Sequence, residues 1–161
     1  MEGSVPAPRG RWHESGLEGR LGPSLFCVGR LLERRLFRAL AEAGLGLTPA
    51  QARILVALHF HAPLTQQELA THIDVEPSTV VGTLDVLERE GLALRDRNPS
   101  DRRAHLVSTT EKGEALVPRL FALWEGIEAS LADVLSESER QRFLKSLERL
   151  MESMWEEEES C

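Results

Sequence analysis

Between residues 47 and 113 three helix starts follow one another so closely that only short helices fit between them. Thr48-Pro49-Ala50-Gln51 puts a hydroxyl at an N-cap, a proline at the first helical position and a glutamine at the third, so the N–H groups left bare at a helix start gain side-chain partners ahead of Ile54, Leu55 and Leu58. Thr65-Gln66-Gln67-Glu68 repeats that box before Leu69 to His72, and Ile73-Asp74-Val75-Glu76 makes a turn. Pro77 opens a third helix, Val80, Leu84 and Leu87 line its inner side, and Gly91 stands where a left-handed residue is needed to end it. Leu92 to Arg95 and His105 to Ser108 then alternate as antiparallel strands around the polar tip Asn98-Pro-Ser-Asp-Arg-Arg-Ala104.

Three short helices and a hairpin outline a winged helix-turn-helix, an arrangement that holds one helix in a DNA major groove and a basic loop against the neighbouring backbone. The expected fold is therefore mainly α with a small β wing. Residues 1–23, rich in Gly, Pro and Arg, read as a loose arm, and 24–46 as a helix with the stripe Leu25, Val28, Leu32, Leu36, Ala39 and Leu40 closed by Gly44 and Gly46. The winged domain takes 47–111. In 112–161, Thr110 caps one long helix through Ala115, Leu120 and Ile127, bent at Pro118, and Ser136-Glu-Ser-Glu139 starts a last one carrying Phe143, Leu147, Leu150, Met151 and Met154. The stripes of these N- and C-terminal helices exceed what the winged domain can cover, which predicts dimerisation helices and a homodimer. A two-fold dimer would set two recognition helices about one DNA turn apart, on a pseudo-palindromic operator in double-stranded DNA.

The net charge of −7 opposes a nucleic-acid role until its distribution is read. Residues 1–110 hold 13 acidic and 13 basic side chains, whereas 111–161 hold 13 acidic and 6 basic, ending in Glu156-Glu-Glu-Glu159. The wing carries Arg95, Arg97, Arg102 and Arg103 against Asp96 and Asp101. No apolar run reaches the roughly 20 residues of a bilayer span, and Met1 to Pro23 lacks the apolar stretch of a signal peptide, so a cytoplasmic protein without a membrane partner is expected. Cys27 and Cys161 have no ligand spacing, and His59, His61, His72 and His105 no zinc pattern, so neither metal nor cofactor is expected. No nucleophile–base pair or phosphate-cradling glycine loop argues for an enzyme.

Leu47-Thr48-Pro49, Leu64-Thr65-Gln66-Gln67-Glu68-Leu69-Ala70, Ser78-Thr79-Val80-Val81 to Leu84-Asp85 and Leu87-Glu88, Glu90-Gly91-Leu92, Asp101-Arg102-Arg103-Ala104 and Thr110-Glu111-Lys112-Gly113 stand in one order and spacing. In this the chain resembles the MarR family of bacterial transcriptional regulators over residues 25–120. The resemblance implies a homodimeric DNA-binding regulator, often a repressor, whose grip on its operator responds to a small ligand or to oxidation. It points to Pro77 to Arg89 as the recognition helix and to Asp101 and Arg103 as the wing element that enters the minor groove.

Within the recognition helix the candidate contacts are Pro77, Ser78, Thr79, Gly82, Thr83, Val86 and Arg89, with Asp85 also facing away from the inner stripe. Ser78 and Thr79 sit at the positive end of the helix dipole, suited to phosphates or base edges. Many relatives carry arginine where Gly82 stands. Its absence removes a bidentate donor to guanine and shifts expected readout to Thr79, Thr83 and thymine methyls. In the wing Arg103 is the first choice for a narrow minor groove and Arg102 the second, with Asp101 orienting one of them, while Arg95 and Arg97 are candidates for phosphates. Thr65, Gln66 and Gln67 are backbone candidates, although capping accounts for Thr65 equally well. Trp12, Phe26, Phe37, Arg53 and Trp124 are candidates to line a pocket for a small aromatic or anionic effector. A urate-responsive branch has an acidic residue near Arg53, so that ligand is not carried over. Cys27 lies where a peroxide-sensing branch keeps its reactive cysteine, but the tyrosines of that branch are missing and an inert Cys27 is expected. The competing expectation is a winged-helix protein-interaction module that has lost DNA binding, favoured by the net acidity and by Gly82.

Overall fold

The computed structural model describes residues 19–101 and 104–159. Helix α1 (Leu21–Glu42) begins before the expected Ser24, because Pro23 needs no N–H partner in a first turn and Ser24 Oγ donates to the Arg20 carbonyl at 2.8 Å. It closes where Gly44 adopts φ +63°, letting Gly44 N–H reach Ala41 O at 3.0 Å and Leu45 N–H reach Leu40 O at 3.1 Å. Helix α2 (Pro49–His61) starts with both halves of its capping box made: Thr48 N–H to Gln51 Oε1 at 2.7 Å and Gln51 N–H to Thr48 Oγ1 at 3.3 Å.

A two-residue strand β1 (Leu64–Thr65) precedes helices α3 (Gln66–His72) and α4 (Pro77–Arg89). The turn between the helices repeats the closure of α1 with Asp74 at φ +51° and Val75 N–H on Ala70 O at 3.1 Å, since aspartate tolerates the left-handed region better than most residues. Gly91 ends α4 in the expected way, at φ +68°. Strands β2 (Ala93–Arg97) and β3 (His105–Thr109) form the hairpin, and β1 adds to it in the order β1-β3-β2, with Leu64 opposite Val107. No alternation announced β1, which is too short to show any.

The single bent helix expected after Thr110 is instead two helices, α5 (Glu111–Glu114) and α6 (Val117–Ala132). Pro118 has no N–H for the Glu114 carbonyl and its ring would strike it, so the chain turns and restarts. Thr110 Oγ1 accepts from Gly113 N–H at 3.1 Å and donates to Gly91 O at 2.7 Å, which pins α5 to the end of α4. Gly113 lies so close beneath Leu92 that a Cβ would collide with the Leu92 carbonyl.

One core runs through the chain from Leu36 and Leu40 of α1, by Ile54, Leu55 and Leu58 of α2, Leu69 of α3 and Val80, Leu84 and Leu87 of α4, to Val107 of β3 and Leu120 and Ile127 of α6. Helix α7 (Glu137–Glu159) contributes nothing to it among the described residues. Its Phe143, Leu144, Met151, Met154 and Trp155 are exposed, as are Leu21, Phe26, Val28, Leu31 and Phe37 on α1. Among the described residues no helix is long and apolar enough to cross a membrane.

Candidate nucleic-acid interface

Burial of Val80, Leu84 and Leu87 fixes the rotation of α4 and turns Pro77, Ser78, Thr79, Gly82, Asp85 and Arg89 to solvent, with Thr83 and Val86 half-buried at the margins. Glu76, at the N-cap, offers no side-chain cap, so the positive end of the helix dipole is rimmed by the Ser78 and Thr79 hydroxyls. Thr83 Oγ1 donates to the Thr79 carbonyl at 2.9 Å, which commits its proton and leaves its lone pairs for a partner. Nothing lies within 4 Å of a Cβ built on Gly82. Val81, 41% exposed, belongs to this surface although the sequence reading omitted it. Its spacing, three after Ser78 and four before Asp85, is the signal that was there to find.

At the start of α3 the Thr65 hydroxyl is spent on capping: it donates to Glu68 Oε2 at 2.8 Å and accepts from Glu68 N–H at 3.2 Å. The Thr65 N–H and hydroxyl together hold the Glu68 carboxyl below its ordinary 4.5. Gln67 is exposed, whereas Gln66 faces the wing, and with its amide oriented to suit the neighbouring donors its oxygen accepts from Arg95 Nε at 2.7 Å and Nη2 at 3.1 Å.

Arg95 is the residue whose placement departs most from expectation. A phosphate contact should stand free, yet its side chain is only 15% exposed, with Nη1 donating to Asp85 Oδ1 at 2.7 Å and to Glu88 Oε2. Two carboxylates on α4, invisible as partners in a linear reading, draw it inward. Arg97 is exposed and lies across the ladder from His105. The tip is shaped by Asn98 Oδ1 accepting from Ser100 N–H at 2.9 Å and by Ala104 N–H on Asp101 O at 3.1 Å. Asp101 is exposed, while Arg102 and Arg103 lie outside the described residues.

The effector candidates lie on three helices, and none of the described ones lines the cleft between α1 and α6. Phe26, Phe37, Arg53 and Trp124 are exposed on α1, α2 and α6, and Trp12 lies outside the described residues. A cleft of about 310 Å³ between α1 and α6 is lined instead by Arg35, Ala39, Leu123, Gly126, Ile127 and Ser130, among others, with Arg35 Nη1 donating to Ser130 Oγ at 2.7 Å. Cys27 is half-buried. His59 Nδ1 lies 2.6 Å from Glu114 Oε2, and the Thr109 hydroxyl, then His59, keep the Glu114 carboxyl below 4.5. Among the described residues no three His, Cys, Asp or Glu side chains converge as a metal site.

Fold and surface together define a winged helix-turn-helix set among helices that expose large apolar side chains. The MarR family model matches residues 47–105. The chain is 35% identical over 94 residues to the HTH-type transcriptional repressor MdtR of Bacillus subtilis (strain 168), a stretch covering 58% of this chain and 61% of that protein. It superposes on the transcriptional repressor CouR bound to a 23-mer DNA duplex with TM-score 0.75 and 30% identity, covering 90% of this chain and 99% of that one. A mutant MarR from E. coli complexed with operator DNA gives TM-score 0.75 at 25% identity, covering 86% and 95%. This chain belongs to the MarR family, whose members are transcriptional regulators.

Proposed function

We propose that this chain is a homodimeric, sequence-specific DNA-binding regulator that represses by occupying a pseudo-palindromic operator and is released by a small aromatic or anionic effector. The observation that carries the reading is the outward side of α4, uncapped at its positive end and rimmed by Ser78 and Thr79 while Val80, Leu84 and Leu87 anchor it from behind. In this role α4 enters the major groove through Thr79, Val81, Thr83, Val86 and Arg89, and Gln67 approaches the backbone. Arg103, with Arg102 second and Asp101 orienting, takes the minor groove, and Arg97 a phosphate. DNA-bound relatives of the same fold support this use of the surface.

The exposed apolar faces of α1 and α7 support pairing, and the acidity of residues 111–161 keeps the paired end away from phosphate. An effector seated between those helices and the winged domain would act as a population shift, favouring spacings of the two α4 helices that miss successive turns of one duplex. Fluorescence anisotropy on duplexes selected from a random pool tests the reading. Binding should fall steeply between about 50 and 200 mM salt as counterions are released, and replacing Arg102 and Arg103 with alanine should weaken it. A chain that binds no duplex, or binds with no salt dependence, overturns the proposal.

A further inference from the structure

Resting on the DNA-binding reading above, we infer that Arg95 is a positioning residue for operator recognition: it locks the recognition helix to the wing so that both meet one duplex as a single rigid surface.

Arg95 stands in the middle of β2, opposite the fully buried Val107, so its own backbone is fixed by the ladder. From there one guanidinium reaches two other elements. Nη1 donates to Asp85 Oδ1 and Glu88 Oε2, Nη2 to the Val81 carbonyl at 3.3 Å, and Nε with Nη2 to the Gln66 amide oxygen at the start of α3. Residues 81, 85 and 88 are two turns of one α4 stripe that adjoins the buried stripe and forms the wing-side edge of the surface offered to DNA. A planar cation with donors on every edge can hold such a set in one geometry, whereas a lysine ammonium, a single point charge on a flexible stem, cannot.

Charge alone makes a different prediction from position. Asp85 and Glu88 are carboxylates beside the proposed DNA surface, so if Arg95 merely cancelled them, removing Glu88's charge would strengthen DNA binding. If Arg95 acts through Glu88 to orient α4, removing that charge weakens binding instead, because a misaimed helix loses base contacts that each discriminate by roughly tenfold or more.

The test uses the full chain and two duplexes, one selected from a random pool and one scrambled, titrated across salt for wild type, Arg95→Lys, Glu88→Gln and the double variant, with thermal midpoints recorded. The expected result is a loss of roughly tenfold for the selected duplex in each single variant, with a double variant no weaker than the worse single one. The preference for the selected over the scrambled duplex falls by a similar factor, and the slope of affinity against salt stays that of wild type. Should Arg95→Lys fold poorly, the sign of the Glu88→Gln effect decides alone. Tighter binding by Glu88→Gln, additive losses, or an Arg95→Lys chain that prefers the selected duplex as wild type does would each overturn the inference. Equal weakening on both duplexes with a shallower salt slope would overturn it too, and return Arg95 to a phosphate. A wild-type chain that binds no duplex overturns the proposed function and this inference with it, whereas the preceding outcomes leave that function standing.

Discussion

Glu68 shows how much a single side chain discloses in advance, since the spacing of Thr65 and Glu68 is enough to read a reciprocal cap that the fold then makes. Glu68 and Glu139 carry lowered carboxyl pKa values because of N-cap partners, and Glu114 because of Thr109 and His59. Folded values below 4.5 mean the native state binds fewer protons than the unfolded chain in that range. Their contribution is therefore complete above about pH 4.5 and is lost as pH falls through the folded values. Thermal midpoints measured from pH 6 downwards should drop below about pH 4.5 in wild type, and Glu68→Gln should remove part of that drop. Gly113 offers a harder test of packing. Gly113→Ala forces a methyl against the Leu92 carbonyl, which already accepts the Thr110 N–H, and should cost about 1–3 kcal/mol by calorimetry. The sequence placed that glycine in a motif but gave no packing reason for it, because the backbone it touches lies 21 residues upstream and only the folded chain brings the two together.

Helix α4 was the most legible element, as its stripe of Val80, Leu84 and Leu87 follows a 3.6-residue period that nothing in its tertiary setting contradicts. Its ends were legible too, Pro77 being suited to a first turn and Gly91 to a left-handed stop. Harder to read were features that depend on two elements at once. β1 exists only because β3 passes beside Leu64, and Arg95 turns inward only because Asp85 and Glu88 lie one helix away. The break at Pro118 was half-legible: proline announced a disturbance, but not whether the helix would bend or restart. On α4 the exposed Gly82, with space around its Cβ position, invites two substitutions. Gly82→Ala should stabilise the chain by about 0.5–1 kcal/mol through lost backbone freedom in the unfolded state. Gly82→Arg should bind selected duplexes containing guanine roughly tenfold tighter, with a salt slope steeper by about one for each phosphate the arginine also neutralises.

At the scale of the molecule, the apolar residues left exposed on α1 and α7 argue for a paired state. Light scattering should give twice the 18.0 kDa of one chain. Replacing Phe143 and Met151 of α7 with aspartate should halve that mass and abolish preference for inverted half-sites, yet leave the winged domain folded, because none of the described side chains of α7 belongs to the core. The organisation of that core bears on how a signal would travel. Leu36 and Leu40 of α1 and Ile127 of α6 belong to the same packed interior as Val80 and Leu84 behind the reading surface. A domain hung on a slack tether could absorb movement of the flanking helices; one sharing their interior has no such slack. In the proposed dimer, tilting α1 against α6 by a few degrees would swing α4 as a lever swings its far end, and the distance between two such ends would decide whether both meet the same face of a duplex.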